Sequence, residues 1–204
     1  MTYIVDFRGF PACPCLAAWL PVYEAELQRR GQLAGDLTVY QLIGGAEASG
    51  GTHRSGGAFD ISDLIGDADV WLARQMGAPA TWARTRAQGF TPHLHGVLRG
   101  CPHNGPAAYQ IDDVENGWNG LAGLSRARDD GPRPIPDRDW RQGIAWAREQ
   151  EDDMKAEDWT RLQNMLDSQR KSIVTDLLAA TITKAGDTVK KALRVAAGLP
   201  KDES

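Results

Sequence analysis

The sequence predicts an α+β fold, in which a small antiparallel sheet is flanked by helices and followed by a helical C-terminal region. Residues 1–130 mix segments of helical apolar spacing with short β-branched or aromatic segments, and the two kinds do not alternate regularly. This irregular order favours α+β over a doubly wound parallel sheet. Alternating prolines in GPRPIPDRD follow, and the rest of the chain shows only helical spacing.

The individual elements are predicted from apolar periodicity and from breaks at glycine and proline. Helices are expected over Leu16–Arg30, Ala68–Met76, Thr81–Gln88 and Pro106–Gly117, and strands over Leu37–Ile43, Ala58–Ile61 and His95–Leu98. Pro21 lies inside the first helical pattern. A proline in a helix interior removes a hydrogen bond, so this helix is expected to begin near Pro21 or to kink there.

Three parts of the chain are predicted. Residues 1–130 form the functional domain, 131–139 a stiff proline-rich linker, and 140–204 a helical region. The helices of that region are expected over Trp140–Asp153, Glu157–Thr183 and Thr188–Ala197. The last is basic and amphipathic, a pattern that suits anionic wall polymers or a membrane surface and also an ordinary solvated face. Packing on the first domain, self-association and wall binding remain open for this region.

The composition is that of a soluble globular protein, with 42% hydrophobic and 25% charged residues and a net charge of −4. Nothing in this balance points to nucleic acid. No apolar run approaches the roughly 20 residues that span a bilayer. The N-terminal segment lacks a basic stretch followed by a long apolar one, so no ordinary secretory signal is predicted. We therefore expect synthesis in a cytosol and a separate route of release if the target lies outside.

The histidines are concentrated in two short motifs. There are four in the chain, and three of them are His53, in GGTHRSGGAFDISD with Asp60, and the pair His93 and His95. A catalytic zinc takes three protein ligands and keeps one position for water. The glycines between His53 and Asp60 allow both side chains to face one point, and residues i and i+2 of a strand share a face. One histidine of the pair is then a ligand and the other a base or oxyanion stabiliser, although each motif alone also fits an exposed loop or strand face.

The chain contains three cysteines, an odd number, so at least one cannot join a disulfide within the chain. Cys13 and Cys15 are too close to bridge to each other comfortably. Together with Cys101 and His103 they would supply four ligands to a structural zinc, although the Cys-x-Cys gap is shorter than usual. The alternative is three buried thiols in a reducing compartment.

A family resemblance rests on these motifs. His53-x-x-Gly56-x-Ala58-x-Asp60 resembles the signature of the D-Ala-D-Ala-type zinc metallopeptidases, which include D-alanyl-D-alanine carboxypeptidases and dipeptidases, murein endopeptidases, phage endolysins and the hedgehog signalling domain. The segment HLHGVLRGCPHNGPAAYQIDDVENGWNGLAG is similar to the corresponding part of peptidase-like lysins of actinobacterial phages. The resemblance covers roughly residues 37–125.

The resemblance implies a zinc ion over a small antiparallel sheet, held by His53, Asp60 and His95, with His93 assisting catalysis. Many members carry an acid three residues before the last zinc histidine as general base, whereas here that position is Pro92. The base is then His93 or an acid from another segment, for which Asp112, Asp113 and Glu115 are the candidates. Many members also have Ser or Thr two positions before the first histidine, where this chain has Gly51.

The function implied is hydrolysis of an amide bond in the stem peptide or cross-link of bacterial peptidoglycan, by an endolysin or a virion-associated lysin. Arg54, next to the first ligand, is a candidate partner for a substrate carboxylate, or else a solvated loop charge. Such an enzyme would act at the cell wall after release through a holin or as part of a virion. The alternatives are a structural virion or tail component, or a metal-binding interaction domain of the hedgehog type, with the same fold and weak or no catalysis.

Overall fold

A computed structural model describes residues 4–44, 51–62 and 66–150. Its strands are β1 (Val5–Phe7), β2 (Phe10–Ala12), β3 (Val39–Gln41), β4 (Ala58–Ile61), β5 (Ala80–Arg84) and β6 (His93–Val97). Its α-helices are α1 (Pro14–Arg29), α2 (Asp67–Gln75) and α3 (Tyr109–Glu115), and residues 140–150 are also helical. The architecture is α+β with small antiparallel sheets, as predicted.

The N-terminal hairpin leads directly into α1. β1 pairs antiparallel with β2 around a turn in which Arg8 and Gly9 both have positive φ, at 54° and 86°. Two successive positive φ values match the twist of a tight hairpin. Pro14 stands at the start of α1, where a missing N–H costs nothing, and the helix runs through Pro21 to Arg29. The alternative in which the helix begins near Pro21 is therefore wrong.

A four-stranded sheet in the order β3-β4-β6-β5 carries the rest of the fold. Side chains alternate between its two faces. On one face Phe59, Ile61 and Leu94 join the large core with the buried side of α1. On the other face Ala58, Trp82 and Val97 pack with residues of α3. Helices α1 and α2 thus cover one face, and α3 covers part of the other.

The expected helix over Thr81–Gln88 is wrong. Ala80–Arg84 is the edge strand β5, paired along its length with β6, and only Arg86–Gln88 form a short 3₁₀ turn. Alternation along β5 places Trp82 in the core beside α3 and packs Ala83 against the opposite core. Pairing with β6 overrides the helix propensity of the alanines and arginines in this short segment.

The proline-rich segment packs on the sheet domain instead of leaving it. Pro132 and Pro134 accept hydrogen bonds through their carbonyls from α2, at 3.0 Å and 2.9 Å. Ala147, on the helical stretch 140–150, is buried in the large core. The first compact unit accordingly extends to Gln150, beyond the linker expected at 131–139. The helices expected over 157–183 and 188–197, and the end of the one expected over 140–153, lie outside the described residues.

No helix in the described part of the chain is long and apolar enough to cross a membrane.

Candidate metal centre

Asp60 stands at the centre of three histidines on the face of the sheet that carries α3. β4 pairs with β6 so that Asp60 lies opposite His95. The Asp60 Oδ1 atom is 2.7 Å from His95 Nδ1, 3.2 Å from His53 Nε2 and 3.5 Å from His93 Nε2. One ligand atom each from His53, Asp60 and His95 lies within 4.8 Å of the others. The spacing of the two motifs therefore brings four of the five predicted site residues together.

The loop before β4 fixes the orientation of His53. Its ring is fully buried, and Nδ1 donates to the carbonyl of Leu42 at 2.8 Å. Its backbone carbonyl also accepts from the N–H of Gly44 at 2.8 Å, which ties the loop to the end of β3. With the hydrogen on Nδ1, the lone pair of Nε2 points at Asp60. That Nε2 atom is buried and has no aligned hydrogen-bond partner within the described residues.

Helix α3 fixes the orientation of His95 through Gln110. The amide nitrogen of Gln110 donates to the carbonyl of Gly120 at 3.1 Å, which leaves Gln110 Oε1 facing His95 Nε2 at 2.8 Å. An amide oxygen only accepts, so the hydrogen of the ring lies on Nε2 and the lone pair of Nδ1 faces Asp60. Burial lowers the pKa of His95 more than Asp60 raises it, which favours the neutral ring.

His93 shows the same arrangement at the rim. Its Nδ1 donates to the carbonyl of Thr91 at 2.6 Å, so Nε2 presents a lone pair to the site. Three ring nitrogens without hydrogen thus converge on one carboxylate. Four acceptors facing one another repel unless a cation lies among them.

The donor set suits zinc. Two imidazole nitrogens and one carboxylate oxygen match the ligand types of three-ligand catalytic zinc sites, and the unpartnered His53 Nε2 is the kind of buried atom that a metal satisfies. The outer hydrogen bonds from His53 and His95 orient the rings in the way that ligating histidines require. The described groups therefore fit a metal, with His93 beside the three ligands.

A cavity of about 410 Å³ opens at this centre, within the range of small-molecule sites. Its lining comprises Gln41, Thr52, His53, Asp60, Arg84, Gly89, Phe90, Thr91, His93, His95, Tyr109, Gln110, Gly120, Leu121 and Ala122. Among the described residues, Asp60 is the only carboxylate in that lining. The acids considered as an alternative base lie elsewhere: Asp112 is exposed, Asp113 pairs with Arg126, and Glu115 pairs with Arg99.

Arg84 supplies the positive charge of the cavity. It is 2% exposed, Nη1 donates to the carbonyl of Asn119 at 3.0 Å, and Nη2 is buried without a partner in the described residues. Burial lowers the pKa of Arg84 to about 10, although the negative charge of Asp60 acts to raise it. The guanidinium also lies 4.7 Å from the centre of the Trp82 ring, as in a cation–π contact. A second buried donor, Gln41 Nε2, lines the same cavity and also has no partner among the described residues.

Arg54, the predicted carboxylate-binding residue, is exposed and does not line the cavity. The sequence reasoning missed Arg84 because β5 was expected to be helical. With strand alternation, Arg84 falls on the same face as Trp82, two residues before it. Gln110 and Gln41 were missed because a single glutamine in a predicted helix or strand carries no motif.

Comparison with protein-family models, with curated proteins and with solved structures found no match to this chain.

Proposed function

We propose that the chain is a zinc-dependent peptidase that hydrolyses an amide bond of bacterial peptidoglycan. The observation that carries the proposal is the convergence of the His53, His93 and His95 lone pairs on Asp60 at the base of an open cavity. The choice of peptidoglycan rests on the resemblance of the His53–Asp60 and His93–His95 motifs to the D-Ala-D-Ala-type metallopeptidases.

His53, Asp60 and His95 would hold the metal. Zinc bound by such ligands lowers the pKa of a coordinated water toward ~7 and polarises a carbonyl group. His93 Nε2 has no hydrogen of its own and accepts the proton of the attacking water. The same nitrogen then returns that proton to the departing amine, so that one residue serves as base and as acid. His93 would thus take the role of the acidic general base that many members of the resembled family carry at the position of Pro92.

Arg84 and Gln41 would orient the substrate. Both place a buried donor in the cavity lining that has no partner in the described part of the chain. Stem peptides carry free carboxylates, and a guanidinium that is already stacked and hydrogen-bonded loses little conformational entropy when it binds one. We therefore assign recognition of a substrate carboxylate to Arg84, in place of Arg54.

The test measures the clearing of a cell-wall suspension together with the zinc content. Clearing should stop with a chelator and return with added zinc. His53→Ala and Asp60→Ala should lose the site's zinc and all detectable clearing, because two ligands do not replace three. Mass spectrometry of the released muropeptides identifies the bond by the new amino and carboxyl groups.

Two further variants separate binding from catalysis. His93→Gln should keep the zinc and lose at least about 100-fold in rate, the usual effect of removing a general base. Asp112→Ala, which changes an exposed acid outside the cavity, should keep both. Zinc bound at this centre with no hydrolysis of any wall preparation would instead favour a metal-binding interaction domain or a structural virion component.

A further inference from the structure

Four potential metal ligands from two distant segments meet on the other side of β4. Cys13 and Cys15 come from the start of α1, and Cys101 and His103 from the loop after β6. Their ligand atoms all lie within 4.8 Å of one another, and the three cysteines are buried and free of disulfides. They are separate from the His53 centre, which uses none of them.

Three distances in this cluster match those of a tetrahedral metal site. Cys13 Sγ lies 3.7 Å from Cys101 Sγ, and His103 Nδ1 lies 3.7 Å from Cys15 Sγ and 3.6 Å from Cys101 Sγ. Bonds of about 2.3 Å to sulfur and 2.0–2.1 Å to nitrogen, at tetrahedral angles, give edges of about 3.8 Å and 3.6 Å. A disulfide would instead require about 2.05 Å between two sulfurs. Three of the six distances between the ligand atoms therefore match those around a zinc ion, and the other three are at most 4.8 Å.

The backbone explains how so short a Cys-x-Cys spacing works. Cys13 is the residue before α1 and has extended backbone angles, φ −81° and ψ 155°, whereas Cys15 is already helical. Within a continuous helix, residues i and i+2 point in widely different directions. The change of conformation at Pro14 turns both thiols toward the same point.

The surroundings support a thiolate at Cys13. The N–H of Gly57 donates to Cys13 Sγ at 3.4 Å, and backbone donors of this kind stabilise sulfur ligands of metals. A Cβ added to Gly56 would come within 2.9 Å of Cys13 Cβ and 3.0 Å of His103 Cβ. The cluster therefore packs directly on the glycine pair that separates His53 from Asp60.

We propose that Cys13, Cys15, Cys101 and His103 bind a structural zinc ion that holds the start of α1 and the loop after β6 against the segment between the two catalytic-site residues His53 and Asp60. All four positions are protein ligands, so the site has no open position for substrate, as in structural zinc sites. Gly56 is then needed because the ligands Cys13 and His103 occupy the space of a Cβ there, whereas a Cβ at Gly57 would first meet the side chain of Asn104.

The first test counts metal ions on the full chain. Elemental analysis should give two zinc ions per chain in the wild type. His53→Ala and Cys101→Ser should each give one, and the double variant none. The His53→Ala protein isolates the proposed site, and X-ray absorption on it should show three sulfur neighbours at about 2.3 Å and one nitrogen at about 2.0–2.1 Å. Zinc in that variant with no sulfur neighbour, or no zinc at all, would overturn the proposal.

The second test needs no substitution and therefore does not depend on a variant that folds. Wild-type chain loaded with Co²⁺ should show an intense near-ultraviolet thiolate-to-cobalt band, which the His53 centre, having no sulfur, does not produce. Its absence, or a Cys13–Cys101 disulfide found by mass spectrometry of the unreduced protein, would overturn the proposal. Neither result depends on peptidase activity, so failure here is distinct from failure of the proposed function.

Discussion

Hydrogen-bond acceptors outside the site decide which nitrogen of each histidine faces Asp60. The carbonyls of Leu42 and Thr91 take the Nδ1 hydrogens of two rings, and the Gln110 amide oxygen takes the Nε2 hydrogen of His95. A ligand nitrogen must carry a lone pair, so these partners prepare the rings before any metal arrives. Residues that never contact the metal are thus expected to control its affinity.

Gln110→Ala removes the acceptor for His95 Nε2. We expect zinc at the His53 centre to bind about 10- to 100-fold more weakly, the usual effect of losing an outer partner of a ligating histidine. Competition with a chromophoric chelator measures this affinity, using Cys101→Ser as the background so that only one site is titrated. Gln75→Ala is the matched control, because Gln75 donates to the Pro134 carbonyl away from the cavity. Equal affinities in the two variants would contradict the assigned role.

Arg84→Lys and Arg84→Gln test the cavity cation. We expect KM for a stem peptide with a free carboxylate to rise about 10- to 100-fold in Arg84→Gln, because a charged hydrogen bond contributes about 1.5–3 kcal/mol. Arg84→Lys should recover part of the loss. Arg54→Gln is the control, since Arg54 is exposed outside the cavity. An equal rise for an amidated peptide would show that Arg84 acts through structure and does not recognise the carboxylate.

At the scale of elements, the sequence predicted best where flanking residues are unambiguous. Ala58–Ile61 is an apolar run after a glycine loop, and its bounds agree with β4. β5 was predicted wrongly because Thr81–Gln88 is short and locally compatible with a helix, and only pairing with β6 decides it. Strand periodicity predicts that one histidine of the His93–His95 pair joins His53 and Asp60, and the family resemblance implies that it is His95. Arg84 does not, because its position depends on that pairing.

Gly96 of β6 lies directly against the ring of Phe59. A Cβ there would come within 2.7 Å and 2.8 Å of two carbons of the Phe59 ring, which lies opposite on β4. Gly96→Ala should therefore lower the free energy of unfolding by about 1–3 kcal/mol, as overpacking does. Urea denaturation measures the change, and Gly96→Ala with Phe59→Leu should recover part of it. Gly35→Ala, where a Cβ meets nothing within 4 Å, is the control. Equal stability of both alanine variants would contradict the packing argument.

At the scale of the whole unit, a buried ion pair joins parts distant in sequence. Arg74 on α2 pairs with Asp129 at 2.7 Å, and both side chains are fully buried. Arg74 also donates to the Thr81 carbonyl of β5, and Asp129 accepts from Trp82 Nε1 at 2.9 Å. The pair therefore fastens the segment after α3 to the sheet and to α2. Removing one partner of such a pair leaves an uncompensated buried charge.

Lowering the pH should reveal how much Asp129 contributes to the free energy of unfolding. Burial acts to raise its pKa, but the hydrogen bonds and charge of Arg74 outweigh this and lower it below the ordinary value. A carboxyl pKa that is lowered in the folded state adds stability at pH values above the ordinary pKa of about 3.9, and that stability is lost as the pH falls through the folded-state pKa.

Asp129→Asn should lower the free energy of unfolding by about 3–5 kcal/mol at neutral pH. Its stability should also fall less steeply below about pH 4, and urea unfolding at several pH values measures both. Parallel pH curves for variant and wild type would contradict this account.

Asp60 and His95 pair across β4 and β6, so a metal bound by both would also favour the correct register of these two strands. A slip of one residue would set Leu94 or Gly96 opposite Asp60 and turn the two imidazoles of β6 toward α1, because side chains alternate along a strand. Such a mispaired chain has no three-ligand site and gains nothing from zinc. A metal bound at this centre would therefore stabilise only the correctly aligned sheet, and zinc supplied during refolding should enrich that alignment over slipped ones.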